Sequence, residues 1–315
     1  MARTADIDEL VGRARAGDPR SVGRLITLVE DGASQLRGLM ATLAPLSGRA
    51  HVVGLTGSPG VGKSTTTSAI VSRYRADNHR VGVLAVDPSS PFSGGALLGD
   101  RIRMQEHATD REVFIRSMAS RGHLGGLASA TPQAVRVLDA AGCDPVLVET
   151  VGVGQSEVEV AGEADTTVVL LAPGMGDGIQ AAKAGILEIG DVFVVNKADR
   201  DGADATAREL RHMISLAPSE QGAWRPPVLK IVATQGTGLP ELVDAIGSHR
   251  EWLESSGLGL LRRQHGHWRQ WPGYPARPHR RQRRAKAGIL RPSRRWQNGR
   301  LLFDRTGSRV RCRRD

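Results

Sequence analysis

The sequence predicts an α/β protein in which a mostly parallel β-sheet is covered by helices on both faces. The first reason is that short apolar runs, which suit buried strands, alternate along the chain with segments that suit helices. The second reason is the order of elements over residues 51–74, where an apolar run, a glycine-rich loop and a segment free of glycine and proline follow one another. Of the 315 residues, 40% are hydrophobic, which is enough for a substantial core.

Apolar residues recur with helical spacing before the first predicted strand, over residues 6–45. Turn residues at 17–19 and at 31–32 interrupt this pattern. The interruptions disfavour a coiled coil. We therefore assign residues 1–48 to an N-terminal helical segment of two or three helices that precede the main domain.

Seven apolar runs are predicted to form the strands of that domain, to which we assign residues 49–258. The runs are residues 51–56, 81–86, 113–118, 145–151, 166–172, 192–195 and 228–232. A helix predicted over residues 239–253 closes the domain. In open α/β sheets, ligands bind at the carboxyl ends of the strands.

The loop after the first predicted strand, residues 57–64, reads GSPGVGKS and fits the pattern G-x-x-x-x-G-K-[ST] without a mismatch. Its glycines let the backbone bring successive N–H groups against phosphate oxygens at a helix N-terminus, where the helix dipole also favours negative charge. In this pattern Lys63 reaches the β- and γ-phosphates, and the Ser64 hydroxyl binds Mg²⁺. The sequence therefore predicts that residues 57–64 form a phosphate-binding loop, or P-loop.

The sixth predicted strand ends in Asn196, Lys197 and Asp199, which fit the N-K-x-D pattern of guanine recognition. The Asp199 carboxylate can accept hydrogen bonds from N1–H and from the 2-amino group of guanine, and adenine offers neither donor there. A pocket built for such donors rejects a base that lacks them. The sequence thus predicts GTP rather than ATP as the substrate. The predicted GTP-binding residues are Gly57, Ser58, Pro59, Gly60, Val61, Gly62, Lys63, Ser64, Thr65, Asn196, Lys197, Asp199, Ala233 and Thr234.

Three carboxylates follow the P-loop at strand ends or in loops: Asp87, Asp100 and Glu149. Mg²⁺ prefers hard oxygen ligands and usually keeps several waters. We predict that one or two of these carboxylates, directly or through water, complete the magnesium site beside Ser64. The alternative is that they are helix caps or solvated acids.

The positive charge of the chain is confined to its last part. The net charge is +10, but residues 262–315 hold 18 Lys plus Arg and 2 acidic residues, so subtracting their +16 leaves −6 for residues 1–261.

Cys143 and Cys312 form no disulfide or zinc pattern. The sequence shows neither a secretory h-region nor a membrane-spanning run, so we expect a soluble, cytoplasmic protein without a membrane partner.

Five segments combine further motifs: DPSS at 87–90, GGALLGDR at 94–101, SRG at 120–122, ETVGVGQS at 149–156 and QAAKAGILEI at 180–189. Together with the P-loop, they resemble the MeaB/ArgK group of GTPases, which are associated with methylmalonyl-CoA mutase. The resemblance covers residues 20 to about 258. It implies a P-loop NTPase fold of the SIMIBI type.

The resemblance also implies roles for single residues. Lys63, Glu149 and Lys183 would be catalytic, with Lys183 in a mobile switch over residues 174–188, and Ser64, Asp87, Asp100 and Glu149 would form the magnesium site. Mg²⁺ would be the cofactor and GTP the substrate, with no covalently bound cofactor. GTP turnover would gate delivery of adenosylcobalamin from an adenosyltransferase and would protect the mutase. We expect slow intrinsic turnover, because no water-positioning residue can be assigned beyond the weak candidate Gln155.

Residues 259–315 depart from the family, whose members continue here with helices that mediate dimerisation. This tail is rich in Arg, Pro and Trp and keeps no helical period. One interpretation is a basic arm for RNA or single-stranded DNA. We favour the other, a frameshift product, because an acidic body has no evident use for such an arm. A homodimer is therefore doubtful for this chain, and nucleic acid is not an expected partner.

Two other functions remain open. A kinase or transport ATPase for basic amino acids, a name long attached to this family, would need ATP selectivity, which the N-K-x-D pattern disfavours. A nickel metallochaperone GTPase would need a His/Cys cluster, and the histidines of the body are scattered. The sequence favours the GTPase chaperone of a cobalamin-dependent acyl-CoA mutase over both.

Overall fold

Seven strands form one parallel sheet in the part of the chain that the computed structural model describes, which is residues 7–32, 35–87, 104–107, 109–119, 130–150, 163–174, 187–216 and 222–256. The strands are β1 Val52–Thr56, β2 Val81–Asp87, β3 Val113–Ala119, β4 Val146–Thr150, β5 Thr166–Leu171, β6 Val192–Val195 and β7 Val228–Lys230. Their order across the sheet is β3-β2-β4-β1-β5-β6-β7, and every pair is parallel. This confirms the predicted sheet.

Seven α-helices accompany these strands within the described ranges. They are α1 Ile7–Arg15, α2 Pro19–Glu30, α3 Leu36–Leu43, α4 Lys63–Ala76, α5 Thr131–Ala140, α6 Ala203–Ser215 and α7 Leu239–Ser255. The break between α1 and α2 is a helix start of ordinary chemistry, because Asp18 accepts a hydrogen bond from the Arg20 amide at 3.1 Å and Pro19 opens the helix. The predicted N-terminal helices are thus confirmed as three.

The helices cover both faces of the sheet. Buried residues of α4 and α7 pack with Val53, Leu55 and Val168 on one face. On the other face, α1, α2, α3 and α5 share a core cluster with β1 to β4, and α6 packs against β5 and β6. The N-terminal helices therefore contribute to the same hydrophobic core as the sheet, and the boundary after residue 48 stays a prediction.

The sheet and the helices of the described ranges belong to one compact unit. The predicted tail at 259–315 lies entirely outside them, so both interpretations of it stay predictions. Of the helices in the described ranges, none is long and apolar enough to cross a membrane.

Some predicted boundaries differ from the structure. Helix α4 begins at Lys63, within the loop predicted over residues 57–64, because Gly62 adopts a left-handed conformation that ends the loop there. Strand β7 ends at Lys230 rather than at residue 232, because Val232 pairs with Thr237 in an isolated antiparallel bridge. Helices α5 and α6 were not predicted individually.

At the amino-terminal edge of the sheet, two buried histidines are joined through one hydroxyl group. His51 Nε2 lies 2.7 Å from Thr166 Oγ1, and His249 Nδ1 lies 2.8 Å from the same oxygen. His249 also faces Asp191, with 3.6 Å between Nε2 and Oδ1, and stacks on the Trp252 ring. This network links β1, β5 and α7.

Candidate functional site

The predicted P-loop runs from the end of β1 into the first turn of α4, and its conformation requires glycine at two positions. Gly57 has φ 141° and Gly62 has φ 94°. A Cβ at Gly57 would overlap the Leu170 carbonyl oxygen of β5, and one at Gly62 would lie 2.5 Å from Asn196 Nδ2. The neighbouring backbone and side chain therefore leave no room for a larger residue at either place.

Lys63 lies folded along the loop. Its Nζ donates hydrogen bonds to the Gly57 carbonyl at 2.6 Å and to the Ser58 carbonyl at 3.2 Å, and the residue is 8% exposed. An ammonium group held against the loop backbone puts one positive charge at the N-terminus of α4, where the helix dipole is also positive. This end of the site is built for an anion.

Glu149 lies on β4 directly beside the first turns of α4. Its Oε1 accepts a hydrogen bond from Ser64 Oγ at 2.6 Å, and its Oε2 accepts one from Thr67 Oγ1 at 2.9 Å. Glu149 has no exposed surface. A buried carboxylate needs such donors, because removing it from water without compensation is costly.

The donors in this corner suit a hard cation. A hydroxyl and a carboxylate oxygen, from Ser64 and Glu149, meet beside the anion-binding loop, and Mg²⁺ prefers such oxygen ligands together with phosphate and water. The backbone of Asp87 ends β2 next to β4, but its side chain is outside the description. Asp100 and Lys183 lie outside the described residues altogether. Within the described ranges, no three His, Cys, Asp or Glu side chains group as metal ligands.

The predicted base-recognition segment is tied to the P-loop through Asn196, which is 3% exposed. Asn196 Nδ2 donates to the Val61 carbonyl at 2.8 Å. Its Oδ1 accepts from the Lys197 amide at 2.8 Å and from the Ala233 amide at 3.2 Å. One amide side chain thus joins the phosphate loop, the end of β6 and the turn that follows β7.

Lys197 makes a second tie between the same two loops. Its Nζ donates to the Gly60 carbonyl at 2.6 Å, and its backbone has a positive φ of 57°. The Ala198 amide donates to the Ile231 carbonyl at 3.0 Å, which anchors the segment to the chain after β7. Asp199 and Thr234 are both exposed and flank this tied region.

The remaining predicted GTP-binding residues differ in exposure. Val61 is buried, Ser58 and Thr65 are half-buried, and Pro59 and Gly60 are exposed at the tip of the loop. The structure therefore joins the predicted P-loop to Asn196, Lys197 and Ala233 through hydrogen bonds, and Asp199 and Thr234 follow these residues closely in the chain. That they bind GTP remains a prediction from the sequence.

Two residues of the site were missed by the sequence analysis. Thr66 donates to the Gly62 carbonyl at 2.9 Å, and Thr67 contacts Glu149. The signal for them was the unbroken run of hydroxyl residues from Ser64 to Thr67, which on a helix beside a buried carboxylate supplies donors at i and i+3.

Cys143 does not belong to this site. It is buried between the end of α5 and the start of β4, and burial raises the pKa of its thiol to about 12. Because the thiolate is the reactive form, this burial disfavours reaction of Cys143 at neutral pH.

Known proteins resemble most of the chain. The family model described as methylmalonyl Co-A mutase-associated GTPase MeaB matches residues 22–272. A protein named as a GTPase from Pyrococcus abyssi is 54% identical over 253 residues, covering 80% of this chain and 78% of that protein. GTPase ArgK of Escherichia coli is 37% identical over 273 residues, covering 84% of this chain and 82% of ArgK.

One solved structure, titled LAO/AO transport system kinase, has a TM-score of 0.68 and 29% identity to this chain, and the match covers 84% of this chain and 81% of that one. The two proteins therefore share a fold. A P-loop and a base-recognition segment on one parallel sheet, and a family model spanning residues 22–272, lead to one assignment: the chain belongs to the MeaB family of GTPases, and GTP hydrolysis is its reaction.

Proposed function

We propose that this chain is a Mg²⁺-dependent GTPase that acts as a chaperone for a cobalamin-dependent acyl-CoA mutase of the methylmalonyl-CoA mutase type. GTP binding and hydrolysis would be coupled to delivery of the adenosylcobalamin cofactor and to protection of the mutase. The description of the matching family, which is named for association with methylmalonyl-CoA mutase, supports the partner. A cytoplasmic location is part of the same proposal.

The proposal that this chain binds a guanine nucleotide is supported by two hydrogen bonds between the P-loop and the segment that follows β6. Asn196 bonds to Val61 and Lys197 bonds to Gly60, at 2.8 Å and 2.6 Å. These contacts support a single pocket in which a triphosphate lies on the P-loop while the Asp199 carboxylate meets the base. The segment that would recognise the base is thus hydrogen-bonded to the loop that would bind the phosphates.

In this proposal, the chain's own residues position and stabilise charge. Lys63 and the P-loop amides would stabilise the negative charge that develops on the transferred phosphoryl group. Ser64 and Glu149 would provide oxygen ligands for Mg²⁺. Mg²⁺, when bound, supplies Lewis-acid stabilisation of the phosphate oxygens. We also propose Asp87 and Asp100 as further metal-side carboxylates and Lys183 as a catalytic switch residue, on the family resemblance alone.

The chaperone role is tested by titrating the apo form of a cobalamin-dependent methylmalonyl-CoA mutase with this protein in different nucleotide states. We expect the affinity for the mutase to differ by at least tenfold between the protein loaded with a non-hydrolysable GTP analogue and the protein loaded with GDP. Equal affinity in both states, or no binding in either, would remove the chaperone role and leave the GTPase untouched.

A second candidate is a kinase or transport ATPase for basic amino acids, and the similar solved structure is titled LAO/AO transport system kinase. It would need ATP as the phosphoryl donor, and the Asn196–Asp199 segment favours guanine instead. Transfer of the γ-phosphate from ATP to an acceptor, measured beside GTP hydrolysis, separates the two functions. The nickel metallochaperone alternative has no comparable observation in its favour.

A further inference from the structure

Thr67 donates a hydrogen bond to the carboxylate oxygen of Glu149 that Ser64 does not contact. Ser64 donates to Oε1 at 2.6 Å and Thr67 donates to Oε2 at 2.9 Å. The two hydroxyl residues are three positions apart on α4, so they lie on one face of the helix and point at the same strand. The carboxylate is therefore fixed at both oxygens.

The two contacts have different surroundings. Ser64 lies in the first turn of α4, directly after Lys63, and it is the residue that the P-loop pattern assigns to Mg²⁺. Thr67 lies one turn farther along the helix, and it is buried without exposed surface. Thr67 therefore reaches Glu149 from a fully buried position one turn away from the residue that the pattern assigns to Mg²⁺.

Burial makes hydrogen-bond donors such as Ser64 and Thr67 important for the orientation of Glu149. The carboxylate has no exposed surface, so water cannot replace a lost hydroxyl without rearrangement. Partners of this kind, which orient a metal-side carboxylate from behind, typically change metal affinity 10-fold to 100-fold when they are removed.

We infer that Thr67 is a positioning residue that orients Glu149 for the Mg²⁺ site, and thereby sets the magnesium concentration at which the protein binds guanine nucleotide tightly. The inference rests on the proposed magnesium role of Ser64 and Glu149. It does not follow from the P-loop pattern, which ends at Ser64.

Thr67 also makes a contact within its own helix that could give it a purely structural role. Thr67 Oγ1 lies 3.0 Å from the Lys63 carbonyl, and a helical threonine often bonds to the carbonyl four residues earlier. Ser72 makes the same type of bond, to the Ser68 carbonyl at 3.1 Å, on the same helix. Ser72→Ala is therefore a matched control that removes a back-bonding hydroxyl from α4 without touching Glu149.

The test measures binding of a fluorescent GTP analogue as Mg²⁺ is raised from an EDTA baseline. We expect Thr67→Val and Thr67→Ala to need about 10-fold or more Mg²⁺ for half-maximal tightening, with unchanged affinity in EDTA. Thr67→Ser, which keeps the hydroxyl, and Ser72→Ala should behave like the parent protein. In a Glu149→Gln background, Thr67→Val should shift the magnesium requirement by less than twofold.

The outcomes separate this inference from the proposal under it. If the parent protein shows no magnesium-dependent tightening, the proposed magnesium role fails first. If the parent protein tightens and both hydroxyl-free variants, bound normally in EDTA, match its magnesium requirement within twofold, Thr67 is structural only. Loss of nucleotide binding in EDTA by both variants would also overturn the inference, because the effect would then precede the metal.

Discussion

The two edges of the sheet bury polar side chains in different ways. At the carboxyl edge, Lys63 and Asn196 donate to carbonyl oxygens of the P-loop, which is itself the segment that faces a ligand. At the amino edge, His51, Thr166 and His249 contact one another across strands and helix α7. Both sets contain hydrogen-bonded side chains, but only the first set is attached to a loop that a phosphate can approach. Burial of polar groups alone therefore does not identify a site.

Substitution of Lys63 or Asp199 at the carboxyl edge should change nucleotide chemistry with little change in the free energy of unfolding, whereas substitution of Thr166 at the amino edge should lower the free energy of unfolding with little change in nucleotide affinity. A residue that breaks this separation would show that the two edges are coupled.

The largest effect is expected for Lys63→Ala. Removing the ammonium group takes away the charge that the P-loop aims at the transferred phosphoryl group, and loss of one such donor typically costs about 10²–10³ in rate. Phosphate release from GTP should fall by that factor while the melting temperature stays close to that of the parent protein. Lys230→Ala, which breaks only an exposed pair with Asp204, is the control and should keep parental hydrolysis. Parental hydrolysis by Lys63→Ala would contradict the site.

Asp199→Asn should change the choice of base. A hydrogen bond to a charged group is worth about 1.5–3 kcal/mol, so GTP affinity should fall by roughly 10- to 100-fold. Affinity for xanthosine triphosphate should rise, because the asparagine amide can donate to the oxygen that replaces the 2-amino group. The matched control is Asp201→Asn, an exposed neighbour. Unchanged guanine preference, measured by calorimetry, would remove Asp199 from the pocket.

At the amino edge, Thr166→Val should destabilise the fold. The valine leaves ring nitrogens of His51 and His249 without the hydroxyl that joins them, and a buried polar group that loses its partner costs about 1–3 kcal/mol. Urea unfolding should show this loss, with GTP affinity within twofold of the parent value. The control Thr42→Val, which removes a solvent-exposed hydrogen bond to Asp8 at a half-buried position, should alter stability by less than about 0.5 kcal/mol. A tenfold loss of GTP affinity in Thr166→Val would mean that the two edges communicate.

The smallest effect concerns acid stability at the same edge. A hydrogen bond from Arg80 lowers the pKa of Glu112 below its usual 4.5. Because the folded pKa is depressed, this stabilisation is complete above the unfolded pKa and is lost as pH falls through the folded value. Glu112→Gln should therefore be slightly less stable at pH 7, by about 0.2–1 kcal/mol, because the pair is partly open to solvent and screened by it. Its disadvantage should shrink below pH 4. A constant difference across this pH range would contradict the assignment.

Patterns that are local in sequence were sufficient for the sheet and the loops. The apolar runs at β1 and β6 predicted buried strands, and the glycine spacing from Gly57 to Gly62 predicted the loop between β1 and α4. Each of these depends on neighbours within a few positions, so a single sequence carries the information.

Contacts between distant residues could not be predicted in the same way. Thr67 and Glu149 are 82 positions apart, and His51 and Thr166 are 115 apart. Neither pair has a spacing that marks it, because the strand order that brings them together is a property of the whole sheet. The roles of Asp100 and Lys183, and the two interpretations of residues 259–315, lie outside the described residues and stay predictions.

The central claim is that one pocket selects guanine at Asp199 and holds the triphosphate at Lys63 with Mg²⁺ beside Ser64 and Glu149. Isothermal titration of the purified chain with GTP and with ATP, each in Mg²⁺ and in EDTA, tests it most directly. We expect binding of GTP that tightens with Mg²⁺ and exceeds the binding of ATP by at least 100-fold. Equal affinity for the two nucleotides, or GTP binding that ignores Mg²⁺, would contradict the account.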